Sequence, residues 1–323
     1  MRNRTRPIIA RKSAFFGLLV LFIGWLLVGR AQATILYATS ISGSQIDQVD
    51  TTTNVVTPYL NTLSAPDSII FDSTGNILYT TVYTGQVVRY NPITTMSTSL
   101  ASGLSNAADM VLEPGGNSML VSEFGNGNID RINLVTRSFT TLTTGTGNPE
   151  GLAYDGTKLF ANIGYRGGGP SGKEVAEIDP VTGAILATSP GLNSLDGLTY
   201  DPYSGLLYAS SLFGNFVYSI DPNNLNIVQN VTGTLGIVPA PDGITTDGVG
   251  NIFIASSDSG GDSHIYQLNL INHTLTQDTF VNGLDDLAPA FGGGSIPEPS
   301  SLALLGLGGF AFGIRPRRSL TRA

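Results

Sequence analysis

The chain has 323 residues, no cysteine and a formal charge of −8. Residues 34–296 carry six bases and 23 of the 24 acids, a local charge of −17, while the other ten bases sit in the two ends. So acidic a surface repels phosphate backbones and excludes nucleic acid as a partner. Without cysteine the core is held by burial alone.

The N-terminus comes first. Arg2, Arg4, Arg6, Arg11 and Lys12 precede the apolar run 14–28, and Ala31-Gln32-Ala33 follows. Basic, apolar and small-residue regions in that order predict a secretory signal peptide over 1–33, cut after Ala33. The apolar run is shorter than the ~20 residues that a spanning helix needs.

Beyond it, one unit recurs six times. An acid leads an apolar first strand: DSIIFD (67–72), DMVLEP (109–114), EGLAYD (150–155), DGLTYD (196–201), DGITTD (242–247) and DDLAPA (285–290). A second apolar strand accompanies each: ILYATS (35–40), ILYTTV (77–82), MLVSEF (119–124), LFANIG (159–164), LLYASS (206–211) and IFIASS (252–257). Third strands such as QVVRYNP (86–92) and FVYSIDP (216–222) end in Asn or Asp, and Pro92, Pro180 and Pro222 mark the turn to a fourth. Short strands between Gly, Pro, Asn and Asp turns call for antiparallel sheets. The acids recur every 41–46 residues, the period of a β-propeller blade.

The two strand series are out of phase. The chain enters at a second strand (residue 35) and leaves on a first strand (residue 285). Pairing the ends completes a sixth blade and hides two sheet edges. The sequence therefore predicts an all-β, six-bladed propeller over 34–294, closed by its N- and C-terminal strands.

In such a ring the leading residues Asp67, Asp109, Glu150, Asp196, Asp242 and Asp285 converge on the channel mouth. Two readings stay open. Each acid caps its own turn, or the ring holds a hard cation such as Ca²⁺. Two long loops open onto the same face. One, 164–173, carries Arg166 and Lys173, two of the six bases of residues 34–296. The other, 256–264, carries Asp258, Asp262 and His264, where Asp258 and Asp262 either bind Ca²⁺ or are solvated. With two histidines and no cysteine, a catalytic triad or a zinc site is hard to assemble.

The chain ends on Pro297-Glu298-Pro299, an apolar run to Ile314, and Arg315, Arg317 and Arg318. This three-part tail, 295–323, resembles the PEP-CTERM sorting signal of exported bacterial proteins. The resemblance implies Sec-type export, a short transmembrane segment that anchors the chain transiently in the inner membrane, processing by an exosortase-type transpeptidase, and a destination in the envelope or outside the cell. The basic cluster would hold the segment's end on the cytoplasmic side.

PDGITTDGVGNIFIASS (241–257), APDSIIFDSTGNILYTT (65–81) and NPEGLAYDGTKLFANI (148–163) resemble NHL-repeat and gluconolactonase-type propellers. That pattern serves many activities. In gluconolactonase-type enzymes the Asp of a Pro-Asp-Gly motif is a metal ligand, which implies that role for Asp242, with Glu150 matching a second ligand in type. No Asn heads a first strand to match a third. Two functions follow. The first is an envelope or matrix propeller with a binding or scaffold role, reaching extracellular polysaccharide through bridging cations. The second is a lactonase-like hydrolase whose channel cation polarises a carbonyl or activates water.

Overall fold

A computed structural model describes residues 34–164, 172–257 and 263–290. These form six antiparallel sheets and no helix. Blade 1 runs Pro66–Phe71, Ile77–Thr81, Gln86–Asn91 and Met96–Ser102 from the axis outwards. Blade 2 runs Ala107–Leu112, Ser118–Glu123, Asn128–Asn133 and Phe139–Thr143. Blade 3 runs Leu152–Tyr154, Leu159–Gly164, Gly172–Ile178 and Ile185–Thr188, and the short Leu192–Asn193 adds to its third strand. Blade 4 has Leu195–Asp201, Leu206–Ser211, Phe216–Asp221 and Asn224–Asn230, and blade 5 has Pro241–Thr246, Asn251–Ser257, Ser263–Asn269 and Thr274–Phe280.

The closing blade takes its first strand, Leu284–Pro289, from the C-terminal side and the other three, Ile35–Ser40, Gln45–Asp50 and Val55–Asn61, from the N-terminal side. Leu36 faces Pro289, and Ala38 faces Leu287. The out-of-phase strand count thus gives the closure as expected.

The second strands read as unbroken apolar runs because both of their faces are covered by neighbouring blades. All five residues of Ile77–Thr81 are buried. Six apolar clusters fill the interfaces between blades. Leu78 and Val87 of blade 1 pack with Met119 and Val121 of blade 2. Leu36 and Ala38 of the closing blade pack with Phe253 and Ile265 of blade 5. On its other side, Ile46 meets Ile69 and Tyr79 of blade 1, where Tyr37 stands edge-on to Phe71 at 5.1 Å. Each blade has a partner on either side, so none presents a bare apolar face.

Turn chemistry sits at the ends of the strands. In the first hairpin of blade 1, Asp72 accepts from the backbone N–H groups of Thr74 and Asn76. Between third and fourth strands, Asn91, Asn133, Asp179 and Asn269 each accept two backbone N–H groups of the following turn, and Asp221 accepts one. Pro92, Pro180 and Pro222 lie in such turns, as expected.

The few bases tie blade to blade. Arg131 grips Glu113 through two bonds of 2.7 and 2.8 Å and reaches the Pro180 carbonyl of blade 3. Lys158 bonds Glu177 and, at 3.1 Å, the Pro222 carbonyl of blade 4. Arg89 pairs with Asp72 and reaches the Leu134 carbonyl of blade 2.

Candidate functional site

The first strands enclose a central cavity of 720 Å³. Asp67, Asp109, Glu150, Asp196, Asp242 and Asp285 all line it, so the structure brings the predicted ring together. Asp286, which the sequence reading passed over, joins them.

Strand register divides these acids into two sets. Ile69, Met110, Leu152, Leu198, Ile244 and Leu287 hold one equivalent position opposite the second strands. Two residues before it stand Asp67, Glu150, Asp196, Asp242 and Asp285, but blade 2 has Ala108 there. Asp109 is one residue further on, level with Asp286. Its expected equivalence with the other leading acids is therefore corrected by one position.

That next position is where adjacent inner strands touch. In blades 3, 4 and 5 it is Gly151, Gly197 and Gly243. A Cβ on Gly151 would fall 2.4 Å from the Leu198 nitrogen, and one on Gly197 would fall 2.7 Å from the Asp242 carbonyl oxygen. This contact accounts for the recurring acid–glycine pair. In the other three blades the position carries a side chain that reaches sideways. Ser68 Oγ donates to Asp109 at 2.8 Å, Asp109 accepts the Leu152 N–H at 2.7 Å, and Asp286 accepts the Ile69 N–H at 3.1 Å. Asp109 is thus a staple between blades.

A second ring surrounds the first. Thr80 accepts the Ser68 N–H and donates to the Ala108 carbonyl of the next blade. Ser122 and Ser210 do the same towards Glu150 and Asp242, and Asn162 donates its amide to the Asp196 carbonyl. The signal was a small polar residue at a fixed place in ILYTT, MLVSE, LFANI and LLYASS.

The carboxylates look onto the cavity and are enclosed by protein on every other side. Burial pushes Asp67 up to about 8, aided by the charges of Asp242, Asp196 and Asp286 and opposed by a hydrogen bond with Asp285. Burial likewise lifts Asp109 to about 6, against the pull of the Leu152 N–H and Ser68. Asp242, Asp285 and Asp286 lie well above the ordinary carboxylate range, from burial first and neighbouring acids second. Asp196 is raised by burial, while Lys173 pulls it back. Asp67 lies beside Asp285, and Asp196 beside Asp242, so each pair resists carrying two full charges.

Lys173 supplies the positive charge at this end. It forms an ion pair with Glu150 and lies 5.7 Å from the Phe124 ring centre. Burial brings it down to about 8, although Asp196 and Asp242 favour its charged form. The sequence puts Lys173 in a loop on this face, and the fold adds its pairing with Glu150.

The other expected residues fall elsewhere. His264 begins a third strand and stacks edge-on against Phe280 at 5.7 Å, away from the cavity lining. Arg166, Asp258 and Asp262 lie outside the described residues, as do Pro297, Glu298, Pro299, Arg315, Arg317 and Arg318 and the expected signal peptide. Among the described residues no group of three or more acids or histidines is arranged to hold a metal ion. The carboxyls are instead taken up by one another, by backbone N–H groups and by Lys173.

A closed six-blade ring with an acid-lined channel defines the chain as a β-propeller. Among solved structures it is similar to a chain of "Crystal structure of Nidogen/Laminin Complex", with TM-score 0.67 and 15% identity over 80% of this chain and 98% of that one. At that identity the likeness shows the fold. No curated protein matches the chain. Residues 295–318 match the PEP-CTERM protein-sorting motif. The chain is therefore a six-bladed propeller carrying an exosortase-type sorting signal, which marks it for export to the envelope or the extracellular space.

Proposed function

We propose that the exported propeller is a binding module of the cell envelope, and that its acidic channel mouth recognises a cationic group. The supporting observation is the crowding of seven carboxyl side chains at one end of the cavity, with Lys173 as the base beside them among the described residues. An incoming cation would relieve the mutual repulsion of these crowded carboxyls. Ca²⁺ is the simplest such cation, and through it the mouth can bridge to anionic extracellular polysaccharide. The short apolar tail serves as a transient inner-membrane anchor until exosortase-type processing. Among the described residues no helix is long and apolar enough to span a bilayer, and the tail lies outside them.

The lactonase-like alternative needs Glu150 as a metal ligand. Here Glu150 is committed to Lys173, and nothing in the cavity favours that reading over binding.

Calcium titration of the purified chain tests the proposal. Protons and Ca²⁺ compete for the same carboxyls, so millimolar Ca²⁺ should raise the melting temperature at pH 8 more than at pH 5. An unchanged melting temperature at both values would remove Ca²⁺ as the ligand.

A further inference from the structure

The two chain ends leave the propeller at one place. The first strand of the closing blade runs from Leu284, level with Ser40, to Pro289, level with Leu36. Ala290 then donates its N–H to the Ile35 carbonyl at 2.8 Å, and Thr51 donates to the Thr34 carbonyl. Both ends therefore lie on the face of the turns that join third to fourth strands. The acids lie at the opposite end of the first strands, on the face of the turns that join second to third. Leu284–Pro289 is an innermost strand, so the C-terminal exit is close to the propeller axis.

That exit limits how the domain can sit on a membrane. Residues 291–301 separate Ala290 from the apolar run that begins at Leu302. Fully extended, they reach at most ~40 Å. Four strands at ~4.8 Å spacing place the rim roughly 20 Å from the axis, and a six-residue strand stands about 20 Å tall. A path from the axis, around the rim and up to the other face exhausts the whole segment before it reaches a bilayer there.

Both faces present apolar tips, Tyr83 and Phe213 on the mouth face among them, so the chain ends set the orientation and the tips of the exit face add contact to it. On the exit face, Ile93, Val135, Val181 and Ile271 are each more than half exposed. Each follows an Asn or Asp whose side chain accepts its backbone N–H at 2.8–3.0 Å, which fixes the turn with the tip outwards.

We infer that the face carrying the chain ends and these four tips rests against the lipid surface while the chain is anchored, and that the acidic mouth is presented away from the membrane. This rests on the anchoring role proposed above for the tail. Membrane attachment and the acid end of the channel then lie on opposite faces, while the cavity lining reaches the exit face at Ser73, Gly115, Pro202 and Ala290.

The absence of cysteine makes a direct test clean. Ile93→Cys and Val181→Cys place a fluorescent label on the exit face; Tyr83→Cys and Phe213→Cys place one on the mouth face, at exposed positions. The full chain is reconstituted in phosphatidylcholine vesicles containing headgroup-nitroxide lipid. Quenching should be at least about two-fold stronger at 93 and 181 than at 83 and 213. Equal quenching, or the reverse order, overturns the orientation. Flotation with the vesicles is read separately: a chain that does not float overturns the anchor, and the orientation with it.

Discussion

The Asp109 carboxylate accepts the Leu152 N–H at 2.7 Å, 43 residues away and one blade on, while Ser68 donates to its other oxygen from the blade before. One side chain joins three blades at the axis. Asp109→Ala should cost about 1–3 kcal/mol, because it leaves a buried N–H unpaired. Ser68→Ala removes only one bond and should cost less. Urea unfolding of both variants checks the order, and equal midpoints for Asp109→Ala and wild type would refute the staple.

Stability should fall as pH rises from about 5 to 8. The acids at the mouth keep their protons in the fold, whereas the unfolded chain releases them near 3.8. Their contribution is full below that value and is lost as pH passes about 6 for Asp109 and about 8 for Asp67. Asp72 has the opposite sign: its value is lowered, so its contribution is lost in acid. The optimum should lie near pH 4–5, with a loss of about 2 kcal/mol or more by pH 8. Denaturant midpoints across this range decide the matter, and a rise towards pH 8 would contradict the buried acid cluster.

Asp242→Asn removes one carboxyl from the crowd and should flatten that slope. The variant should gain stability at pH 8 relative to wild type, and its melting temperature should respond less to Ca²⁺. Thermal melts at pH 5 and 8, with and without Ca²⁺, separate the two effects.

Lys173→Met strips Glu150 of its partner in a site that is four-fifths enclosed or more. The expected cost at pH 7 is about 1–3 kcal/mol. Added Ca²⁺ should restore more stability to this variant than to wild type, since the ammonium no longer competes. An identical calcium response in both proteins would show that Lys173 does not occupy the cation's place.

Deleting residues 284–323 takes away the innermost strand of the closing blade. This bares the edge of Ile35–Ser40 and opens the interfaces to blades 5 and 1. Cooperative unfolding should be lost or shifted to a much lower midpoint, by circular dichroism. A chain cut only after Ala290 should melt like the longer form.

Local sequence determined the blades. Apolar runs of five or six residues, Asn and Asp turns, and a period of 41–46 residues are short-range signals, and the out-of-phase ends required closure. The sorting tail was equally legible, since its three parts are contiguous. The channel chemistry was legible only to within a residue. Asp109 heads its apolar run as Asp67 heads another, yet counting back from Met110 and Ile69 places Ala108, not Asp109, level with Asp67. That step comes from one extra residue in the first hairpin of blade 2, where Leu112 faces Met119 while Phe71 faces Ile77 in blade 1. Asp286 bonding to Ile69 across the closed ring is decided by closure alone, whereas Lys173 finds Glu150 within blade 3. Composition names such charges, but only the circular arrangement of six blades decides which acids converge on the axis and how far water is excluded from them.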